Sequence, residues 1–237
     1  MAIYMWREYI MPDYLCFTAN AANSSVKLVK NGSPTAVTLE TSTDGSTRTA
    51  YTIGSTITLS NIGDKVYFRN TSETTTWFST SGSNYYRFIL TWNIAASWDI
   101  NYLLCKNSTT TLISNYCYHY LFYGQSALVS SPQLTATTLT NNCYYEMFND
   151  CSNLETLPIL PATTLSTSCY LEMFSWCPKI KLSYSQTWEY VNEYKIPITW
   201  TWTMWSNSLT NMFYKTWWTF TWTPTINTTY YTSNQVI

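Results

Sequence analysis

Apolar and polar side chains alternate in short runs through the first part of the chain. Val37, Leu39 and Thr41 are set against Thr38 and Glu40, and Val66 and Phe68 against Lys65, Tyr67 and Arg69. A period of two belongs to a strand with one face buried. It predicts strands over 14–18, 26–29, 36–41, 47–53, 56–59, 65–69 and 85–91, punctuated by turn residues at Asn31-Gly32, Asp44-Gly45 and 62–64. Short strands at this spacing predict a small β-sandwich.

Beyond residue 116 the alternation gives way to a pattern written three times with a period of 26. Cys117, Cys143 and Cys169 open the copies, each followed by Tyr118, Tyr144 or Tyr170. Phe122, Phe148 or Phe174 comes next, then Gln125, Cys151 or Cys177, then Leu128, Leu154 or Ile180. The runs 134–139 and 160–165 are nearly identical. Such a period marks a stacked repeat, in which no copy buries its apolar face alone. Within a copy, Tyr144, Met147, Phe148 and Cys151 fall at i, i+3, i+4 and i+7, the stripe of a short helix. Asn142 and Ser168 would cap these helices, and Glu146 and Glu172 would complement their dipoles. Leu154 and Leu157 then read as a short strand stopped by Pro158 and Pro161.

The predicted fold is therefore mainly β with short helices. An N-terminal extension at 1–13 precedes a β-sandwich-like domain at 14–92. A junction at 93–116, with a helical turn over 99–104 and a short strand over 109–113, caps a leucine-rich-repeat-like solenoid at 117–182. After Leu182 the period is lost, although 209–213 faintly resembles the repeat, and 183–237 reads as a β-rich C-terminal cap.

Charged residues make up only 11% of the chain and the formal net charge is -1, so no field recruits nucleic acid or an anionic membrane. Solubility rests on Thr, Ser, Asn and Tyr. No apolar run reaches the length of a membrane helix, and Arg7, Glu8, Pro12 and Asp13 interrupt any signal-peptide core near the start. Seven cysteines leave at least one thiol unpaired in a monomer. Stacked neighbours such as Cys143 and Cys169 are disulfide candidates, but buried thiols filling a repeat position are the simpler reading. Zinc spacing is missing.

The run Met147, Phe148, Cys151, Leu154, followed by Leu-Pro and Pro-Ala-Thr-Thr-Leu, resembles the BspA-like leucine-rich repeats of bacterial surface proteins. The stretches 38–46 and 62–69 resemble the β-rich domain that often precedes such repeats. Gln125 departs from the family's Cys. The resemblance implies a non-enzymatic interaction or adhesion module at the cell surface, with a protein or glycan ligand and no cofactor.

Ligand specificity in a stack belongs to columns that vary between copies. Those flanking Leu128, Leu154 and Ile180 are Ala127, Asn153 and Lys179, and Val129, Glu155 and Lys181. Asn153, Glu155, Lys179 and Lys181 are the partner-binding candidates. Nothing reads as catalytic: the single histidine, His119, replaces Tyr145 and Leu171 of the other copies, and no phosphate loop or metal-ligand cluster is present.

Eight of the twelve tryptophans lie between Trp176 and Trp222, while all six glycines precede residue 125. Two readings stand. Trp200 and Trp202 share one face of a strand and would stack on sugar rings, giving a carbohydrate-binding module. Alternatively, these tryptophans are UGA codons that the source organism reads as glycine, which would make the C-terminal part glycine-rich. A structural part of a phage or surface array is a further class.

Overall fold

The computed structural model describes residues 13–196, 207–216 and 223–237. Its seven N-terminal strands stand where the alternation places them: β1 (Leu15–Ala19), β2 (Ser24–Asn31), β3 (Leu39–Ser42), β4 (Thr49–Tyr51), β5 (Thr56–Leu59), β6 (Lys65–Asn70) and β7 (Tyr85–Thr91). There follow β8 (Ile94–Ser97), a 3-10 helix (Ile100–Leu103), β9 (Leu128–Ser130), β10 (Thr156–Leu157), β11 (Leu182–Ser183), β12 (Asn192–Lys195), β13 (Thr229–Thr232) and β14 (Gln235–Val236). The fold is mainly β, in several sheets. Among the described residues no helix is long and apolar enough to cross a membrane.

A six-stranded sheet has the order β4-β3-β6-β1-β8-β9, and a three-stranded sheet the order β5-β2-β7. Central β1 pairs antiparallel with β6 and with β8, placing Phe17 opposite Val66 and Ala96. Alternation sends Leu15, Phe17, Val66 and Phe68 to one face, and Val26, Leu28, Phe88 and Leu90 to the facing side of the smaller sheet; all are buried. The ring of Phe17 meets Phe88 at 4.7 Å and Phe68 meets it at 5.4 Å. Burying each such side chain contributes roughly 1.5–3 kcal/mol. Tyr51 also joins the sheets, its hydroxyl accepting from the Leu28 amide at 2.9 Å and donating to the Ser55 carbonyl at 2.6 Å.

The junction is woven into this part of the fold. Strand β8 belongs to the six-stranded sheet and pairs parallel with β9, from the first repeat. The amides of Phe88 and Ile94 donate to the carbonyls of Leu121 and Ala127, both at 2.8 Å. One continuous apolar core thus runs from Leu15 to Tyr230. The predicted helical turn is the 3-10 helix, capped by the Asp99 carboxylate accepting from the Asn101 amide. The predicted strand at 109–113 is absent; Thr111 makes one isolated parallel bridge to Thr138.

The predicted repeat helices are not helices. Tyr144, Met147, Phe148 and Cys151 are buried as the stripe requires, but every fourth residue turns left-handed: Asn142, Glu146 and Asp150 have φ of 57, 49 and 61°. The backbone is a chain of turns. Amides of Tyr145, Met147, Asn149 and Cys151 donate three residues back, while those of Tyr144, Glu146, Phe148 and Asp150 donate to the carbonyls of Cys169, Leu171, Met173 and Ser175 in the next copy. An α-helix spends all its interior amides internally; here alternate amides remain for a neighbour. Asn142 and Ser168 therefore hold left-handed corners instead of caps. Glu146 lies buried, accepting from the Asn149 side chain at 3.1 Å.

The copies stack in register. Phe88, Phe122, Phe148, Phe174 and Phe213 form one column with centroids 5.4–5.5 Å apart, and Tyr118, Tyr144 and Tyr170 form another at 5.6–5.8 Å. Phe213 belongs to a fourth layer at 207–216, whose carbonyls at Ser208, Thr210, Met212 and Tyr214 accept from Tyr170, Glu172, Phe174 and Trp176. Its spacing from the third copy is 39 residues, Cys169 to Ser208, so a search at period 26 finds only a faint echo. All seven cysteines are free and buried. The thiols of Cys151 and Cys177 donate to the carbonyls of Phe122 and Phe148 at 3.1 and 3.0 Å. In the first copy the donor of the layer before it is an amide, so an acceptor is needed: the Gln125 side-chain oxygen takes the Leu90 amide at 2.8 Å.

Two substitutions separate packing from polarity in this core. Phe148→Ala, in the middle of the column, is expected to cost about 3–5 kcal/mol in a denaturant titration. Tyr144→Phe is expected to be neutral or to stabilise by up to about 1 kcal/mol, because the buried Tyr144 hydroxyl has no hydrogen-bond partner.

His119 is fully buried among the rings of Tyr85, Tyr116, Tyr120 and Tyr145. Burial holds its pKa down to about 4 from 6.5. The unfolded chain therefore binds the extra proton first, and stability falls as pH drops from about 6.5 towards 4. Nearby Glu146 acts with the opposite sign: burial raises its carboxyl, so its contribution is largest in acid and is lost as pH rises through its folded value. His119→Tyr, the side chain of the second copy, is expected to remove up to about 3 kcal/mol of acid destabilisation. Thermal melts of both proteins across this range measure it.

Candidate functional site

The chain leaving each turn layer buries one residue in an equivalent place, Leu128 at the start of β9, Leu154 just ahead of β10 and Ile180 just ahead of β11. Leu128, Leu154 and Ile180 are fully buried, and the residues beside them open onto a groove of about 670 Å³. Val129 and Ser130 line its first-copy wall, Glu155 and Thr156 its middle, and Lys179 and Lys181 its far side, with 233–235 crossing the end. Of the candidate partner-binding residues, Glu155, Lys179 and Lys181 line this groove. Asn153 does not line the groove; its amide donates to the Ser126 carbonyl at 2.9 Å and ties two copies together.

The charges are arranged in pairs. Lys179 Nζ lies 2.5 Å from Glu155 Oε1, and Lys181 Nζ lies 3.6 Å from Glu189 Oε1. All four side chains are more than a third exposed, so each pair contributes about 0–1 kcal/mol to stability. Exchanging these charges therefore costs the fold little.

The residue that holds the groove together was invisible in the sequence. Asn234 accepts from the Lys181 amide at 2.8 Å and donates to the carbonyls of Glu155 and Lys179 at 2.9 and 3.0 Å. It stands where the second and third copies would otherwise leave backbone groups unpaired. Beside it, β14 pairs parallel with β10, placing Gln235 opposite Thr156. Strands β11, β13 and β12 form the adjoining three-stranded sheet. Asn234 lies 53 residues beyond Lys181, in a stretch without repeat pattern, so no spacing announces the contact.

The reactive side chains elsewhere face the core. Burial pushes the thiols of Cys117 and Cys169 up to about 12, which removes thiolate character at neutral pH. Among the described residues no three His, Cys, Asp or Glu side chains gather as a metal site. Trp200 and Trp202, the candidate sugar-stacking pair, lie outside the described residues. No family model, curated protein or solved structure matches the chain.

Asn234→Ala strands three backbone groups and is expected to cost about 2–3 kcal/mol. Lys179→Ala, which removes only an exposed ion pair, is expected to change stability by less than about 1 kcal/mol. Hydrogen exchange at the Lys181 amide distinguishes them: it accelerates in the first variant and is unchanged in the second.

Proposed function

We propose that the chain is a non-enzymatic module that binds a protein partner at a bacterial cell surface. In this reading an N-terminal β-sandwich carries a short solenoid of BspA-like leucine-rich repeats, closed by a β-rich C-terminal cap. The facing Phe17 and Phe88 support the sandwich, and the phenylalanine column with its layer-to-layer hydrogen bonds supports the solenoid.

One observation carries the functional reading: the groove pairs a nearly constant buried frame with outward residues that change from copy to copy. Leu128, Leu154 and Ile180 keep the same role, while Val129, Glu155 and Lys181 present an apolar, an acidic and a basic side chain in one line. A surface of mixed charge with an apolar end suits a protein surface of complementary pattern, for which charge placement governs specificity more than raw affinity. The bacterial and cell-surface parts of the reading rest on the repeat's resemblance alone.

The test is a binding screen of the full chain against arrays of secreted proteins, extracellular-matrix proteins and glycans. A protein ligand is expected, with affinity reduced about tenfold or more by Glu155→Lys or Lys181→Glu and unchanged by Trp200→Ala with Trp202→Ala. Glycan binding lost with the tryptophan pair would establish the carbohydrate-binding reading instead. Antibody labelling of intact source cells checks display.

A further inference from the structure

Five tryptophans fall within the described residues: Trp77, Trp92, Trp98, Trp176 and Trp188. Three of them have left-handed backbone, with φ of 60° at Trp92, 65° at Trp98 and 58° at Trp176. In that region Cβ crowds the backbone, so it favours glycine, and Asn or Asp next because their short side chains bond locally; a large ring has neither advantage. Five of the six glycines occupy the same region, at φ of 62–95°.

The repeat makes the comparison within one chain. The corner closing successive turn layers is Gly124, Asp150, Trp176 and Lys215, at φ of 71, 61, 58 and 54°. The fold keeps the corner and only the side chain changes. At the end of β7, Trp92 turns the chain into β8 and is 68% exposed.

A second observation is independent of backbone angle. The large side chains of the continuous core are Tyr, Phe, Leu, Ile and Met, and none of the five described tryptophans is in it. Tryptophan has the most to gain from burial, yet Trp77, Trp92, Trp176 and Trp188 are 48–91% exposed. The contacts that do exist are made at the surface: Trp98 stacks on Tyr67 at 5.7 Å, and Lys215 Nζ lies 3.9 Å from the Trp176 ring.

We propose that the polypeptide made in its native source carries glycine at positions 92, 98 and 176, inserted by a glycyl-tRNA that reads UGA codons. The sequence then supplies, at three left-handed corners, the residue that adopts that backbone with the least strain. It also explains why glycine vanishes after residue 124 while tryptophan accumulates from residue 176 onwards. The inference stands apart from the partner-binding proposal. Extended by the same codon to Trp200 and Trp202, it removes the aromatic pair on which sugar stacking depends.

The experiment is peptide mass spectrometry on protein purified from the native source, covering positions 92, 98 and 176, together with the codons of the gene. Glycine at all three positions, each encoded by UGA, is the expected result. Tryptophan in any of the three peptides, or a UGG codon at any of the three positions, overturns the proposal.

Discussion

Everything in the repeat region depends on one hydrogen-bonding constraint. A left-handed residue at every fourth position spends half of each layer's amides internally and aims the other half sideways. Tyr144, Glu146, Phe148 and Asp150 have no acceptor except the carbonyls of the following copy. A buried amide without an acceptor is expensive, so one layer cannot exist alone. The requirement propagates in both directions. The N-terminal sheets meet it for the first copy, through Phe88, Ile94 and the accepting Gln125, and residues 207–216 meet it for the third.

The same geometry explains the side chains. With layers held at one hydrogen-bond spacing, equivalent rings must stack nearly parallel, and the Phe148 and Phe174 planes differ by only 4°. The thiols fill a gap of fixed size and donate to a carbonyl of the previous layer. Cysteine suits that place because it is small, apolar and still a weak donor. Its burial is also what makes it unreactive. A chain with few charges thereby builds a core whose polar atoms are mostly satisfied by backbone, and the groove's ion pairs remain on the surface. The groove residues Glu155, Lys179 and Lys181 can vary because the frame beneath does not rely on them.

Much of this was legible in the chain. Period-two alternation located β1 to β7, because a half-buried strand repeats its environment every second residue. Period 26 located the stacked layers, and in the varying columns beside Leu128, Leu154 and Ile180 the residues Val129, Glu155, Lys179 and Lys181 line the groove. The helix was misread for a physical reason. Tyr144, Met147, Phe148 and Cys151 satisfy a helical stripe and also a chain of turns with a left-handed corner every four residues, since both return a side chain to the same face at similar spacing. Asn142 looked like a cap because the residues that tolerate capping geometry also tolerate left-handed φ.

By itself the sequence determined the strands, the repeat and the burial of its apolar columns, because these are properties of local period and side-chain chemistry. Only the tertiary structure decided how alternate amides find partners, that 207–216 is a fourth layer, and that Asn234 locks the groove. Those facts depend on contacts across 39 and 53 residues of chain, and a contact between distant segments leaves no periodic trace in either. The tryptophans sit between the two. Their odd distribution is visible in the sequence, but only the backbone shows that Trp92, Trp98 and Trp176 occupy corners where a missing Cβ is an advantage.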